Sequence, residues 1–165
     1  MQSKDEIEKT YQKPDPWGYQ SSPEDSKRKH YILHLLDIFG PHYRKALDIG
    51  AGEGWITQHL RAAEIHAMEI SDTAASRFPG GIRRVSVPDG RYDLVTAMGV
   101  LYNHYDFLFF KKCIQEHASG IVLVSYIAAW EHPWARNLPG KELLLAEFPY
   151  NEHRQRVRIV DVSAS

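Results

Sequence analysis

The feature that most constrains the fold is a glycine-rich turn that follows a short apolar run. Ala46-Leu47-Asp48-Ile49 leads directly into Gly50-Ala51-Gly52-Glu53-Gly54, a pattern typical of a β-strand that ends in a tight turn. Glycine lets a ligand approach backbone N–H groups that a side chain would otherwise cover. The turn therefore predicts a ligand site at the carboxyl end of a strand. The alternative is that its three glycines serve only a tight connection.

An acidic residue, Glu69, ends the next predicted strand. A carboxylate at that place can accept hydrogen bonds from both hydroxyls of an adenosine ribose. The turn reads G-x-G-x-G, whereas dinucleotide sites that bind a pyrophosphate read G-x-G-x-x-G. Asp48 and Glu53 would repel phosphate but tolerate an ammonium and a sulfonium. The charges therefore favour S-adenosylmethionine as the cofactor, unless Glu69 is merely a solvated strand end.

Beyond Lys45, short apolar runs alternate with helix-like segments. This alternation predicts an α/β domain, with a mostly parallel sheet covered by helices on both faces. Only Pro88-Asp89-Gly90 separates strands three and four, so either one crossover helix is missing or the third strand is misassigned. The tail predicts an antiparallel hairpin. The predicted strands are 45–49, 65–69, 82–87, 92–98, 120–126, 142–148 and 157–162, and the predicted helices are 55–63, 73–78 and 107–116.

The N-terminal residues differ in character from the rest. Residues 1–13 are charged and lack an apolar period, which predicts a mobile arm, and residues 14–165 are expected to form one domain. Two prolines and a glycine place Trp17 and Tyr19 on an extended segment over the domain. These aromatic rings either close over the cationic sulfur of a cofactor or pack as a hydrophobic staple. Ser22 is predicted to cap a helix that Gly40-Pro41 ends.

Composition argues against several classes of protein. Lys and Arg number 20 against 21 Asp and Glu, so there is no general electrostatic reason to expect a nucleic-acid or membrane partner. The single cysteine, Cys113, cannot form an internal disulfide, and no apolar run is long enough to span a bilayer, so a cytoplasmic protein is expected. The sequence contains no H-E-x-x-H or C-x-x-C pair, and we predict no metal site.

These motifs resemble those of class I S-adenosylmethionine-dependent methyltransferases. The run from Ala46 to Gly54 looks like their first motif, and Ala67-Met68-Glu69-Ile70-Ser71 looks like their second. The resemblance implies a Rossmann-like sheet of seven strands in the order 3-2-1-4-5-7-6, with strand seven antiparallel. The cofactor-binding residues that we expect are Trp17, Tyr19, Asp48, Gly50, Ala51, Gly52, Glu69, Ile70, Met98, Gly99 and Tyr102.

A closer similarity is to the nodulation-type (NodS-like) N-methyltransferases, which act on chitooligosaccharide amines. It rests on Asp15-Pro16-Trp17-Gly18-Tyr19, on Arg28-Lys29-His30-Tyr31, and on Tyr92-Asp93-Leu94-Val95 leading to Val100-Leu101-Tyr102. In similar enzymes the Arg28 and Lys29 positions neutralise the cofactor carboxylate, but a solvated helix face is the favoured interpretation of this charged run. Gly99 replaces an acidic residue of those enzymes, and Asp89 is placed to substitute for the acid that faces the adenine amino group.

The segment after the fourth strand is the predicted reaction site, because ligands bind outside the carboxyl ends of parallel strands. Tyr102 or His104 could accept a proton from an attacking amine or hydroxyl. The alternative for His104 is that it caps the next helix or is simply exposed. A second cluster follows the fifth strand and is expected either to hold an acceptor or to pack: Tyr126, Trp130, Glu131, His132 and Trp134.

The expected reaction is direct displacement of the cofactor methyl group by a nitrogen or oxygen of a small-molecule or sugar-amine acceptor, leaving S-adenosylhomocysteine. Three rivals remain. A nucleic-acid methyltransferase is disfavoured by the missing basic stripe. A noncatalytic module that binds the cofactor or its product is supported by the short chain and by Gly99. A nicotinamide-dependent dehydrogenase is disfavoured by the glycine spacing. The acceptor is not fixed by the sequence, and both a monomer and a homodimer are open.

Overall fold

Seven strands form the centre of the molecule. The structure is a computed structural model that describes residues 2–100 and 107–163. The strands are β1 (Tyr43–Ile49), β2 (Ala62–Met68), β3 (Ile82–Arg84), β4 (Tyr92–Met98), β5 (Ala118–Ile127), β6 (Lys141–Tyr150) and β7 (His153–Asp161). They make one sheet in the order β3-β2-β1-β4-β5-β7-β6. β1 to β5 run parallel, whereas β7 pairs antiparallel with both β5 and β6. The expected α/β fold class, strand order and C-terminal hairpin are confirmed.

Helices lie around this sheet within the described residues. The α-helices are α1 (Lys4–Thr10), α2 (Pro23–Phe39), α3 (Asp72–Ala75), α4 (Phe107–His117) and α5 (Pro133–Arg136), and short 3-10 turns span Thr57–His59 and Ala128–Trp130. None of these helices combines the length and apolar character needed to cross a membrane.

Two buried clusters, one on each face of the sheet, hold the layers together. Ile32 and Leu36 of α2 pack with Leu94 and Leu123 on one face. On the other face the buried cluster includes Phe110, Cys113 and Ile114 of α4 together with Leu47 and Val95 of the central strands. Strands that are buried on both faces read as continuous apolar runs, which is why β1, β4 and β5 were recognisable in the sequence.

Helix α2 begins and ends where the sequence predicts. The Ser22 hydroxyl accepts a hydrogen bond from the backbone N–H of Asp25, and Pro23 occupies the first turn. The helix ends at Phe39, and Gly40 donates its N–H to the carbonyl of Leu36. These contacts satisfy backbone groups that a helix end leaves without partners.

The predicted helix 55–63 is wrong. Only the 3-10 turn Thr57–His59 forms there, and β2 already starts at Ala62, which pairs with Tyr43 of β1. The buried Thr57 hydroxyl donates to the Asp48 carboxylate over 2.5 Å, which anchors the turn to the end of β1. Tertiary contacts have therefore overridden a weak local preference for helix.

The elements around β3 are shorter than predicted, and the connections on both sides of β3 are correspondingly longer. Helix α3 ends at Ala75 rather than 78, before Phe78-Pro79, and a residue that precedes proline is biased away from helix. Strand β3 ends at Arg84 rather than 87. Residues 85–91 contain no helix, so one crossover helix of the doubly wound plan is missing. Both alternatives left open by the sequence therefore apply: a crossover helix is missing, and the third strand ends earlier than predicted.

The N-terminal segment differs from the expected arm, because residues 4–10 form α1. Ser3 and Glu6 make a reciprocal capping box at its start. The Glu8 carboxylate accepts a hydrogen bond of 3.0 Å from the Ser71 hydroxyl and others from backbone N–H groups at the start of α3. Lys4 pairs with Asp72 over 2.7 Å. A helix this short has no apolar period to reveal it; the mobility of the segment stays a prediction.

Candidate active site

The glycine turn between β1 and the Thr57–His59 turn adopts a backbone that favours glycine. Gly50, Gly52 and Gly54 have φ angles of 74°, 58° and 79°, in the left-handed region that other residues rarely occupy. A side chain at Gly50 would overlap Val100, and a Cβ atom at Gly52 would lie 2.9 Å from the Tyr11 hydroxyl. The turn is therefore constrained by its backbone angles and by the residues packed over it.

Asp48 lies buried at the end of β1, beside the turn. Its carboxylate accepts hydrogen bonds from the hydroxyls of Thr57 (2.5 Å) and Thr96 (2.7 Å). Burial raises the pKa of Asp48 to about 6, although both hydroxyls oppose this shift. A positive charge placed near Asp48 would therefore favour the ionised form of this carboxyl group.

Glu69, just beyond β2, connects that strand to the glycine turn. One carboxylate oxygen accepts the N–H of Gly52 over 2.8 Å, and the other accepts the N–H of Ser71 over 2.9 Å. Burial raises the pKa of Glu69, against the effect of these backbone donors. A carboxylate has about four lone-pair positions, so Glu69 can accept a further hydrogen bond from a ligand.

A single cavity of about 1250 Å³ runs along the carboxyl ends of the strands. It reaches from the glycine turn to the turn between β6 and β7. The ten described residues that the sequence predicts to bind a cofactor all border it: Trp17, Tyr19, Asp48, Gly50, Ala51, Gly52, Glu69, Ile70, Met98 and Gly99. Their binding roles stay predictions. Tyr102 and His104, the predicted proton acceptors, lie outside the described residues.

Arg28 is the main residue of this cavity whose character the sequence did not reveal. Its side chain is only 6% exposed, so the favoured interpretation as a solvated face is wrong for this residue. The guanidinium pairs with Asp25 over 3.0 Å and lies 4.9 Å from the ring of Tyr19 and 5.3 Å from that of Tyr150. Its Nε has no hydrogen-bond partner in the part of the chain that the structure describes. Lys29, half-buried, lies over Trp55 instead.

The comparison with protein families agrees with this geometry. Residues 23–162 match the family described as Methyltransferase domain. The chain belongs to this family. The match begins with α2 and ends just past β7, so it includes every strand of the sheet.

Solved structures show the same fold in other methyltransferases. The N-methyltransferase NodS from Bradyrhizobium japonicum WM9, in complex with S-adenosyl-l-homocysteine, is similar with a TM-score of 0.77 and 16% identity, over 95% of this chain and 96% of that chain. Magnesium protoporphyrin IX methyltransferase from Synechocystis PCC 6803 with bound SAM has a TM-score of 0.71 and 13% identity, over 98% of this chain and 97% of that chain. No curated protein matches this methyltransferase significantly in sequence.

The residues of the aromatic and polar cluster after β5 have different surroundings in the methyltransferase. Trp130 borders the cavity. Tyr126 instead donates its hydroxyl hydrogen bond to Glu131, whose carboxylate also pairs with Arg156 over 2.7 Å. Of the two expected roles, packing describes most of the cluster, and acceptor binding stays a prediction for Trp130. The remaining two residues serve local structure: His132 caps α5 and stacks on Phe107, and Trp134 packs against the core.

Asp89 does not take the place predicted for it. It is exposed, lies 3.7 Å from Arg83, and does not border the cavity. Its backbone N–H donates to the buried Tyr92 hydroxyl, which holds the 85–91 connection against the sheet. Val85 and Ser86 border the cavity where that connection leaves β3.

No metal centre is found in the described part of the methyltransferase. No three His, Cys, Asp or Glu residues there are grouped so that they could hold an ion. His30 and His34 have the one-turn spacing of a ligand pair on α2, but a protein metal site needs further ligands. The buried Cys113 has a pKa raised to about 11 by burial, so its thiol is not a reactive nucleophile.

Proposed function

We propose that the protein transfers a methyl group from S-adenosylmethionine to a nitrogen or oxygen of a small-molecule acceptor. One observation supports this most: the Gly52 N–H donates to Glu69 over 2.8 Å. That bond connects the ends of β1 and β2, where two methyltransferase motifs meet. An acidic residue so placed can accept the ribose hydroxyls of an adenosine. The known occupants of two similar folds, S-adenosylhomocysteine and SAM, agree with this proposal.

The residues present fit this cofactor. Gly50 and Gly52 border the cavity with bare backbone, because a side chain at either position would collide with Val100 or Tyr11. The unpartnered Nε of the buried Arg28 offers a charged donor for the carboxylate of the amino-acid part. Asp48 places negative charge where an ammonium group would be favoured. Nucleoside, carboxylate and ammonium thus each have a complementary group in one cavity.

The cofactor supplies a methyl group on a positively charged sulfur, which an acceptor nitrogen or oxygen can displace directly. The protein must align the reactants and exclude water, and orientation alone can lower such a barrier by about 7 to 11 kcal/mol. The aromatic residues Trp17 and Tyr19 border the cavity, and aromatic rings attract a cation. Ile7 and Tyr11 border it from the N-terminal side and limit access of water. Tyr102 and His104 stay the candidates for accepting the proton of the acceptor.

Turnover distinguishes an enzyme from a noncatalytic binding module. The protein should release S-adenosylhomocysteine from S-adenosylmethionine when it is incubated with pools of small amines, phenols and carboxylates. Release above the acceptor-free background, abolished by Glu69→Ala, would support the enzyme. Tight binding of S-adenosylhomocysteine with no release across all pools would support the binding module.

The pKa of Asp48 predicts a pH dependence of binding. An ammonium group in the site favours the ionised carboxylate, so binding at acidic pH must first remove a proton from Asp48, whose pKa is about 6. We expect the affinity for S-adenosylhomocysteine to fall about tenfold between pH 7.5 and pH 5, with affinity lost as the pH drops through that pKa. Calorimetry at the two pH values measures this.

Asp48→Asn and adenosine provide the controls for that titration. The variant has no proton to release at this position, so its affinity should depend less on pH. Adenosine lacks the ammonium group and should show a weaker dependence with the wild-type protein. A wild-type affinity for S-adenosylhomocysteine that stays constant from pH 7.5 to pH 5 would contradict the placement of the ammonium near Asp48.

A further inference from the structure

The cavity continues beyond the glycine turn to the hairpin of β6 and β7. We call this part the hairpin end; Trp130, Tyr150, His153 and Gln155 border it. The whole cavity, at about 1250 Å³, exceeds the range of about 300 to 1000 Å³ that is usual for one small molecule. Its size therefore leaves room at the hairpin end for an acceptor beside a cofactor at the glycine turn.

Gln155 is the most informative residue of the hairpin end. It is only 1% exposed, and its Nε2 has no hydrogen-bond partner among residues 2–100 and 107–163. The register of β7 places it between Ile127, the last residue of β5, and Phe148 of β6. A buried amide N–H without a partner has lost its hydrogen bond to water without replacing it, which is unfavourable. A ligand oxygen that accepted a hydrogen bond from this N–H would replace the one lost.

The charges near the hairpin end disfavour a cationic acceptor. Tyr150 donates its hydroxyl hydrogen bond to Asp25 over 2.8 Å, and Asp25 is also paired with Arg28. This carboxylate is therefore already neutralised. Asp25 does not itself border the cavity, and the carboxylates that do border it lie toward its glycine-turn end: Asp15, Asp48, Glu53, Glu69 and Asp72.

We propose that the hairpin end binds the methyl acceptor through a carbonyl or carboxylate oxygen that accepts the Nε2–H of Gln155. This inference rests on the proposed function of the same cavity. The aromatic residues Trp130 and Tyr150 border the space, and aromatic side chains pack well against a planar ring on the acceptor. The acceptor class is therefore a ring compound that carries such an oxygen, rather than a positively charged alkyl amine.

The test uses three probes with one ring and different charges: benzoate, benzamide and benzylamine. Each is titrated by ligand-observed NMR into the full-length protein saturated with S-adenosylhomocysteine. We expect saturable binding of benzoate and benzamide, with benzylamine at least about tenfold weaker, because only the first two carry the accepting oxygen. Equal binding of all three probes, preferred binding of benzylamine, or no binding of any would overturn the inference.

Variants of Gln155 test the assigned donor. Gln155→Met keeps the length of the side chain but removes the N–H, so benzoate and benzamide should bind about tenfold more weakly. Gln115→Met, at an exposed position of α4, is the matched control and should leave all affinities unchanged. Should the methionine variant fail to fold, Gln155→Glu replaces it, with the same loss of benzoate binding expected. Unchanged benzoate affinity in a folded Gln155 variant would overturn the assignment.

Titration with S-adenosylhomocysteine separates this inference from the function on which it rests. The affinity for that ligand should be the same in the wild-type protein, in the Gln155 variants and in Gln115→Met. Failure of the wild-type protein to bind S-adenosylhomocysteine would contradict the proposed function itself. Normal binding of S-adenosylhomocysteine, combined with no binding of the oxygen-bearing probes, would overturn only the acceptor inference.

Discussion

Replacing Glu69 with alanine is expected to weaken the binding of S-adenosylhomocysteine by at least about 100-fold. Two hydrogen bonds from ribose hydroxyls to a carboxylate would be lost, and each bond to a charged group contributes about 1.5 to 3 kcal/mol. The same change frees the N–H groups of Gly52 and Ser71, which Glu69 holds at 2.8 and 2.9 Å. The turn would then also lose part of its fixed shape. Calorimetry on the purified variant measures the effect.

Two controls separate binding from folding in that experiment. Glu64→Ala changes an exposed carboxylate of β2 that does not border the cavity, and it should bind S-adenosylhomocysteine as the wild-type protein does. Glu69→Gln keeps the size and one accepting oxygen, so its loss should be smaller than that of Glu69→Ala. Wild-type affinity in a folded Glu69→Ala protein would contradict the ribose assignment.

The second large effect is expected at Arg28. Arg28→Leu removes the donor proposed for the cofactor carboxylate, so the affinity for S-adenosylhomocysteine should fall about 10- to 100-fold. Adenosine has no such carboxylate, and its affinity should be unchanged. The comparison of these two ligands by calorimetry therefore reports on the amino-acid part of the site alone.

Arg28→Leu is also expected to lower the stability of the fold, because it leaves the buried Asp25 without its partner 3.0 Å away. Removing one member of a buried pair costs about 3 to 5 kcal/mol. The double variant Asp25→Asn/Arg28→Leu removes both charges and should recover thermal stability but not affinity. Lys29→Leu, at the adjacent half-buried residue, is the matched control. Equal loss of adenosine and S-adenosylhomocysteine affinity would contradict the assigned role of Arg28.

Local sequence motifs predicted most of the fold and the part of the site formed by the glycine turn and Glu69. The glycine turn and Glu69 are recognisable because their roles depend on backbone angles and strand ends within short segments. The strand order followed from the resemblance that these motifs establish. The helix predicted over 55–63 failed because Thr57 is held by Asp48 across the turn, a contact between two elements that no local preference encodes.

The site residues that the sequence did not reveal, Arg28 and Gln155, depend on contacts between segments that are far apart in the chain. Arg28 belongs to a charged run, and nothing near it in sequence indicates that Tyr19 and Tyr150 will enclose it. Gln155 lies in a polar β-rich tail, and its burial follows from the pairing of β7 between β5 and β6. Such residues become recognisable only when the sheet brings distant strands together.

The most direct test of the central claim is calorimetric titration of the wild-type protein with S-adenosylhomocysteine, with NAD as a parallel ligand. The cavity, the glycine turn and Glu69 predict one site of micromolar affinity for S-adenosylhomocysteine and no binding of NAD, because the turn lacks the spacing of a pyrophosphate site. Folded protein that binds NAD, or that binds neither ligand, would contradict the assignment of this cavity to a methyl donor.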